Sequence, residues 1–167
     1  MAILEILQYP DPRLQLPAVR VEKIDAPVRE LIAQMAQTMY SAEGIGLAAT
    51  QVNVHKQIIV MDVSDSRDEL RVFINPEITR REGMALNQEG CLSVPGIYEN
   101  VERADSVTVT ALDEKGSRFT LNASGLLATC IQHEFDHLQG KVFVEHLSEL
   151  KQNRIRAKLK KRQRKAA

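Results

Sequence analysis

Apolar residues recur along this chain with two distinct periods. Val28, Leu31, Ile32, Met35 and Met39 follow a three-to-four spacing, which puts them on one face of a helix. That helix is expected over residues 26–42, with Asp25 as N-cap and Pro27 in the first turn, where a missing N–H costs nothing. Its two methionines are core filling. A second helical stretch runs from Ser124, a candidate N-cap, to Gly140, a stop. Leu126, Cys130, His133 and His137 fall on one stripe of it. Between the helices the period shortens. Gln57–Val63 is a β-rich run, Ser64–Glu69 a polar turn, Arg71–Asn75 a short strand stopped by Pro76, and Glu77–Arg81 a third. Ser106–Asp113 alternates, with Val107, Val109 and Ala111 on one face, and a turn through Ser117 leads into Arg118–Leu121 as a hairpin. The opening segment to Ile24 contains Pro10, Pro12 and Pro17 and reads as extended chain and turns on the surface. Strands grouped in runs, with long helices before and after, argue for an α+β fold and against a wound parallel sheet.

The 167 residues suit one domain with a substantial core, and neither repeats nor a linker divide it, so residues 1–167 are expected to form a single domain. Net charge is zero, but nine of the 22 Lys and Arg residues lie from Lys151 onward with no Asp or Glu among them. The preceding 150 residues therefore carry 13 basic against 22 acidic side chains. An acidic body with a basic tail over about residues 148–167 points to an anionic partner for the tail, or to a solvated terminal helix. Leu147, Leu150, Ile155 and Leu159 form an apolar stripe along that helix. The first residues lack a basic leader, and no apolar run approaches the roughly 18 residues of a membrane span. Two cysteines, Cys91 and Cys130, do not make a secreted disulfide framework, so a cytoplasmic protein is expected.

Chemistry concentrates in His133-Glu134-Phe135-Asp136-His137. Imidazoles four residues apart on one helical face, with a carboxylate after the first, form a specific metal signature with Glu134 as general base. A catalytic site needs a third protein ligand and an open position. Glu145, His146 and Glu149 lie downstream. The protease pattern with a further histidine is followed to Gly140, but Phe143 stands where that histidine belongs. Upstream, Cys91 in Gln88-Glu89-Gly90-Cys91-Leu92-Ser93 could present a thiolate, or could be an ordinary core residue. Gly44-Ile45-Gly46-Leu47-Ala48-Ala49-Thr50-Gln51 matches the glycine spacing of a dinucleotide fingerprint, but a helix precedes it and a strand follows, the reverse of what that motif requires. It reads as a substrate-lining loop.

Those three segments resemble the signature motifs of peptide deformylase, in order and across nearly the whole chain. The resemblance implies an α+β fold of mainly antiparallel strands packed around a central metal-binding helix, with a C-terminal helix. It also implies removal of the N-formyl group from nascent chains that begin with formyl-methionine, releasing formate. Cys91, His133 and His137 would then hold one divalent metal ion, and Glu134 would be the catalytic acid/base. The Gln51 amide and the Leu92 N–H would stabilise the oxyanion. Ile45, Gly46, Glu89, Gly90, Leu126 and Cys130 would line the methionine pocket and peptide groove. Fe²⁺ is the expected native ion, with Zn²⁺, Ni²⁺ or Co²⁺ in purified protein. Partners would be the nascent polypeptide and, through the basic tail, the ribosome near its exit; a monomer with no membrane contact is expected. Tyr98 stands where many bacterial relatives carry an arginine. A metallopeptidase and a non-catalytic zinc module with a nucleic-acid tail are the competing readings.

Overall fold

In a computed structural model, residues 3–166 are described; Met1, Ala2 and Ala167, part of the expected 1–167 span, lie outside the described residues. Helix α1 spans Ala26–Ser41, and the Asp25 carboxylate accepts the Val28 N–H at 3.2 Å, as the N-cap reading requires. It buries Val28, Ile32, Met35 and Met39. Strands β1 (Gly46–Ala48), β2 (Ile58–Met61) and β3 (Arg71–Glu82) follow. Next come β4 (Ala85–Cys91), β5 (Val94–Arg103), β6 (Ser106–Leu112) and β7 (Arg118–Ser124). Five of them form an antiparallel sheet in the order β1-β2-β3-β6-β7, while β4 and β5 form a separate hairpin.

The expected short strands on either side of Pro76 are one 12-residue strand. The register with β6 shifts between Ile74 and Glu77, and Asn75 adopts a left-handed backbone with φ of 52°. This bulge takes Asn75 and Pro76 out of the ladder, so the proline's missing N–H breaks nothing. The Asn75 amide, turned inward, bonds both the N–H and the C=O of Val21 at 2.8 and 2.9 Å and ties the opening segment to the sheet. That segment is more than a surface wrap. Leu7, Tyr9 and Leu14 are buried, and the Leu7 and Tyr9 N–H groups donate to the carbonyls of Gln51 and Ser93, each at 2.7 Å. The expected loop over residues 44–51 contains β1 and a 3-10 turn, Ala49–Val52.

Helix α2 spans Gly125–Leu138 and packs against β1, β2, β6 and β7, which is the central position expected of it. Ser124 stands at its N-cap position, though its side chain makes no capping bond. A 3-10 turn, Phe143–His146, leads into α3, Glu149–Ala166. Ile155 and Leu159 of α3 join a buried cluster with Leu7, Tyr9, Val94, Ile97 and Val101. Leu150 is 60 % exposed and drops out of the expected apolar stripe, because at 3.6 residues per turn it falls on the opposite side of the helix from the buried Ile155 and Leu159.

Candidate metal centre and active site

The periodicity of α2 stacks His133 and His137, whose ring centroids are 5.0 Å apart, and both imidazoles are buried. Cys91 reaches them from the end of β4, with Sγ 3.3 Å from His137 Nε2. One donor atom from each of the three residues lies within 4.8 Å of the others, the grouping of this kind found among the described residues. The downstream candidates do not join it. Glu145 accepts the Val142 N–H of its own turn at 3.2 Å, His146 pairs with Asp136, and Glu149 is exposed at the start of α3.

A thiolate and two imidazoles suit a divalent ion such as Zn²⁺ or Fe²⁺ and leave one position open. Burial holds the His137 imidazole well below its usual range, helped by His133 and Arg103, so it is neutral with a lone pair to offer. Burial opposes charge on His133 as well, yet its contacts with Cys91 and Glu89 outweigh this and raise it. That balance favours positive charge at this spot, which a metal ion also satisfies. His133 Nδ1 lies 2.8 Å from Glu89 Oε1, which turns its other nitrogen toward Cys91.

Glu89 belongs to a buried chain of charges that motif reasoning missed. Arg103 grips it with Nε and Nη2 at 2.8 and 2.9 Å, while Nη1 donates to Asp136 at 2.6 Å. His146 Nε2 lies 2.8 Å from the same Asp136 oxygen. Burial alone would raise Glu89; hydrogen bonds from Arg103 and His133 reverse this and hold it at about 2. Glu89 thus borders the groove, but its carboxylate is committed to Arg103 and His133. The only available signal was Asp136 inside the histidine motif, because Arg103 is distant in sequence from both of its partners.

Glu134 is buried, and its Oε1 has no hydrogen-bond partner. Burial pushes its carboxyl up to about 7, with Glu89 and Asp136 adding to the rise and His133 and Arg103 opposing it. Gly46 lies against it. A Cβ there would overlap the Glu134 carboxylate and come within 2.9 Å of Cys130 Sγ, so this close approach requires glycine. Gln51 is buried beside the centre. Its Oε1 accepts the Ala48 N–H at 2.9 Å, which aims Nε2 at Ser93 Oγ, 3.1 Å away, and at Cys91 Sγ, 3.5 Å away. Leu92 sits in the turn between β4 and β5.

A groove of about 460 Å³ opens over these groups. Ile45, Gly46, Gln51, Glu89, Gly90, Leu92, Leu126 and Cys130 all line it, together with Cys91, His133 and Glu134. Ile45 and Leu126 form an exposed lip, Cys130 lies deep, and Tyr98 lies across Gly90 at the rim. His137 sits behind the lining with no exposed surface.

The sequence model of the polypeptide deformylase family matches residues 3–153. Peptide deformylase 1 of Ralstonia nicotianae is 65 % identical over 164 residues, covering 98 % of this chain and 97 % of that protein. Peptide deformylase of Neisseria meningitidis serogroup C is 61 % identical over 163 residues, 98 % of each. Among solved structures, a peptide deformylase from Legionella pneumophila superposes with a TM-score of 0.94 at 48 % identity, covering 98 % of this chain and 96 % of that one. A peptide deformylase from Ehrlichia chaffeensis in complex with actinonin gives 0.93 at 40 % identity, covering 98 % and 99 %. With matches of this extent on sequence and on structure, the chain belongs to the peptide deformylase family.

Proposed function

We propose that residues 1–167 act as a single catalytic domain that removes the N-formyl group from formyl-methionine, with Cys91, His133 and His137 as metal ligands and Glu134 as the proton carrier. The observation that carries this reading is the convergence of the three donors beside a buried carboxylate with an unpartnered oxygen. A divalent ion bound there supplies Lewis acidity, lowering the pKa of a water from about 15.7 toward neutrality. Glu134 takes a proton from the attacking water and returns it to the leaving amine. The Gln51 amide, already aimed by Ala48, and the Leu92 N–H donate to the formyl oxygen as it becomes negative. Formyl selectivity follows in this reading from a small space beside the centre, which admits a hydrogen on the carbonyl and crowds a methyl. Ile45, Gly46, Gly90, Leu126 and Cys130 receive the methionine and the chain behind it, while Glu89 borders that pocket and orients His133.

Formate release from a formyl-Met-Ala-Ser peptide, measured beside metal content, tests the reading. Turnover with about one metal ion per chain is expected. Cleavage of internal peptide bonds without formate would replace it with a metallopeptidase.

The ion is Fe²⁺ in this reading, selected by availability, since the divalent affinity order favours Zn²⁺. Iron beside a thiolate is open to oxidation of both. Anaerobic loading with Fe²⁺ should exceed the zinc form in turnover and lose that gain in air; equal, air-stable rates would remove iron from the proposal. The protein works as a cytoplasmic monomer near the ribosomal exit. Buried Ile155 and Leu159 hold α3, while Lys158, Lys160 and Lys161 face solvent. Replacing these three lysines by glutamine should leave turnover of short peptides unchanged and weaken salt-sensitive cosedimentation with ribosomes. Unchanged cosedimentation would leave the tail a solvated helix.

A further inference from the structure

One wall of the groove is the segment Gly44–Gly46, with Gly44 against Leu92 of the hairpin turn and Gly46 against Glu134. It is held from behind by the connection between β2 and β3. There the buried Asp62 carboxylate gathers the Tyr40 hydroxyl at 2.6 Å, the Ser64 N–H and hydroxyl at 2.9 and 2.5 Å, and the Glu69 N–H at 3.1 Å. Arg67 is built onto this knot. Its N–H donates to Ser64 Oγ at 3.0 Å, its Nη1 to the Asp62 carbonyl at 2.9 Å, and its guanidinium stacks 5.1 Å from the centre of the Tyr40 ring. Its remaining arm, Nη2, donates to the carbonyl of Gly44. One residue on, the Asp62 N–H holds the Ile45 carbonyl at 2.8 Å.

We infer that Arg67, anchored by Asp62 and Tyr40, is a positioning residue that sets the Gly44–Ile45 wall at the distance required to grip the substrate chain. The inference rests on the deformylase reading of this groove. Gly46 is held by the β1–β2 ladder and the Gly44 N–H by the Met39 carbonyl at 2.9 Å, so the Gly44 carbonyl is the backbone group left to be fixed from outside. Arg67 supplies that fixation by a charge-assisted bond to a main-chain oxygen, and the front of the same segment touches Glu134 and lines the groove. A fork that is itself held by a second bond, to the Asp62 carbonyl, and by stacking on Tyr40 transmits position well, because little freedom is left in it.

The test compares Arg67→Met, which keeps the stem and removes the donors, with Arg67→Lys, which keeps one donor. Tyr40→Phe, which frees Asp62 of one bond but retains the stacked ring, provides a milder third variant. Metal content, kcat and KM on formyl-Met-Ala-Ser, and equilibrium binding of the unformylated product Met-Ala-Ser are read for each. Loss of a charge-assisted bond should raise KM and product Kd about tenfold in Arg67→Met, with kcat held to within about twofold and metal unchanged. Arg67→Lys should recover much of the loss, and Tyr40→Phe should move the same two quantities less. Unchanged KM and Kd in folded Arg67→Met, or in Tyr40→Phe where Arg67→Met does not fold, overturns the inference, as does a parallel fall in kcat and metal content. If Arg67→Met does not fold, the other two variants decide. A wild-type protein that releases no formate removes the reading beneath it, and the inference falls with that reading, whatever the variants do.

Discussion

The two sides of the metal centre are built in different ways. α2 delivers His133, Glu134 and His137 from one rigid element, whose backbone bonds are internal and whose neighbours are the strands of the main sheet. The hairpin β4–β5 delivers Cys91 and Leu92 from a two-stranded sheet with no third strand. A lone hairpin is marginal by itself. This one is placed by its own Glu89 and Arg103, which bond each other and reach His133 and Asp136 of α2, and by an apolar cluster behind it shared with the opening segment and α3. Helical geometry fixes one side, and long-range contacts fix the other. In the proposed site, loss of Glu134 from the first should therefore appear as lost chemistry with the metal retained, and damage to the second as a loosened Cys91.

The largest effect expected is on the helix side. Glu134→Ala should lower turnover by about 10²- to 10⁴-fold with metal content unchanged. Metal loss matching that of His133→Ala would make Glu134 a ligand and erase the distinction drawn between them. Next comes the hairpin side. Arg103→Met leaves Glu89 and Asp136 buried without their cation, a loss of about 3–5 kcal/mol in stability. It also frees Glu89 from its orientation, so metal affinity should drop about 10- to 100-fold. Unchanged affinity in a correctly folded variant would show that the hairpin places Cys91 without the arginine.

These contrasts track what could be read from the residues beforehand. α2 was legible because a stripe of Leu126, Cys130, His133 and His137 has a helical period and cap signals at both ends. α1 was legible for the same reason. The hairpin was not, because Asn87-Gln88-Glu89-Gly90 lacks apolar alternation, and its buried member, Glu89, is a charged residue held by an arginine 14 residues away and by His133. Arg103 itself looked like any surface cation. Pro76 misled for a local reason, since only the bulge at Asn75 lets a proline sit inside a long strand. The residues of the candidate site were therefore visible through their motifs, while the groups that hold them in place were visible only once the chain was folded.

A smaller effect is expected behind the hairpin. Leu159→Ala removes a buried contact shared with Val94, Ile97 and Val101 and should cost about 2–5 kcal/mol, seen in the denaturant midpoint. If metal affinity falls along with stability, α3 is part of the hairpin's support; if stability falls alone, Arg103 carries that task. The smallest effect belongs to Lys151→Ala. Its 3.3 Å pair with Glu99 joins α3 to β5 at a partly exposed position, and such pairs contribute about 1 kcal/mol or less. A change of several kcal/mol would mean that the pair, and not the apolar cluster, fastens the helix.

The cluster behind β5 also bears on the order of events during synthesis. Leu7 and Tyr9 are made long before the hairpin they cover, and Ile155 and Leu159 are made well after it. Closing contacts over such separations is slow relative to forming α2 or the β6–β7 hairpin. The Cys91 side of the site is therefore expected to wait for the last helix, with the histidine side ready earlier. A chain stalled before Ile155 should protect the amides of α2 from hydrogen exchange yet hold its metal weakly. Full metal affinity in that stalled chain would show that the site matures without waiting for α3.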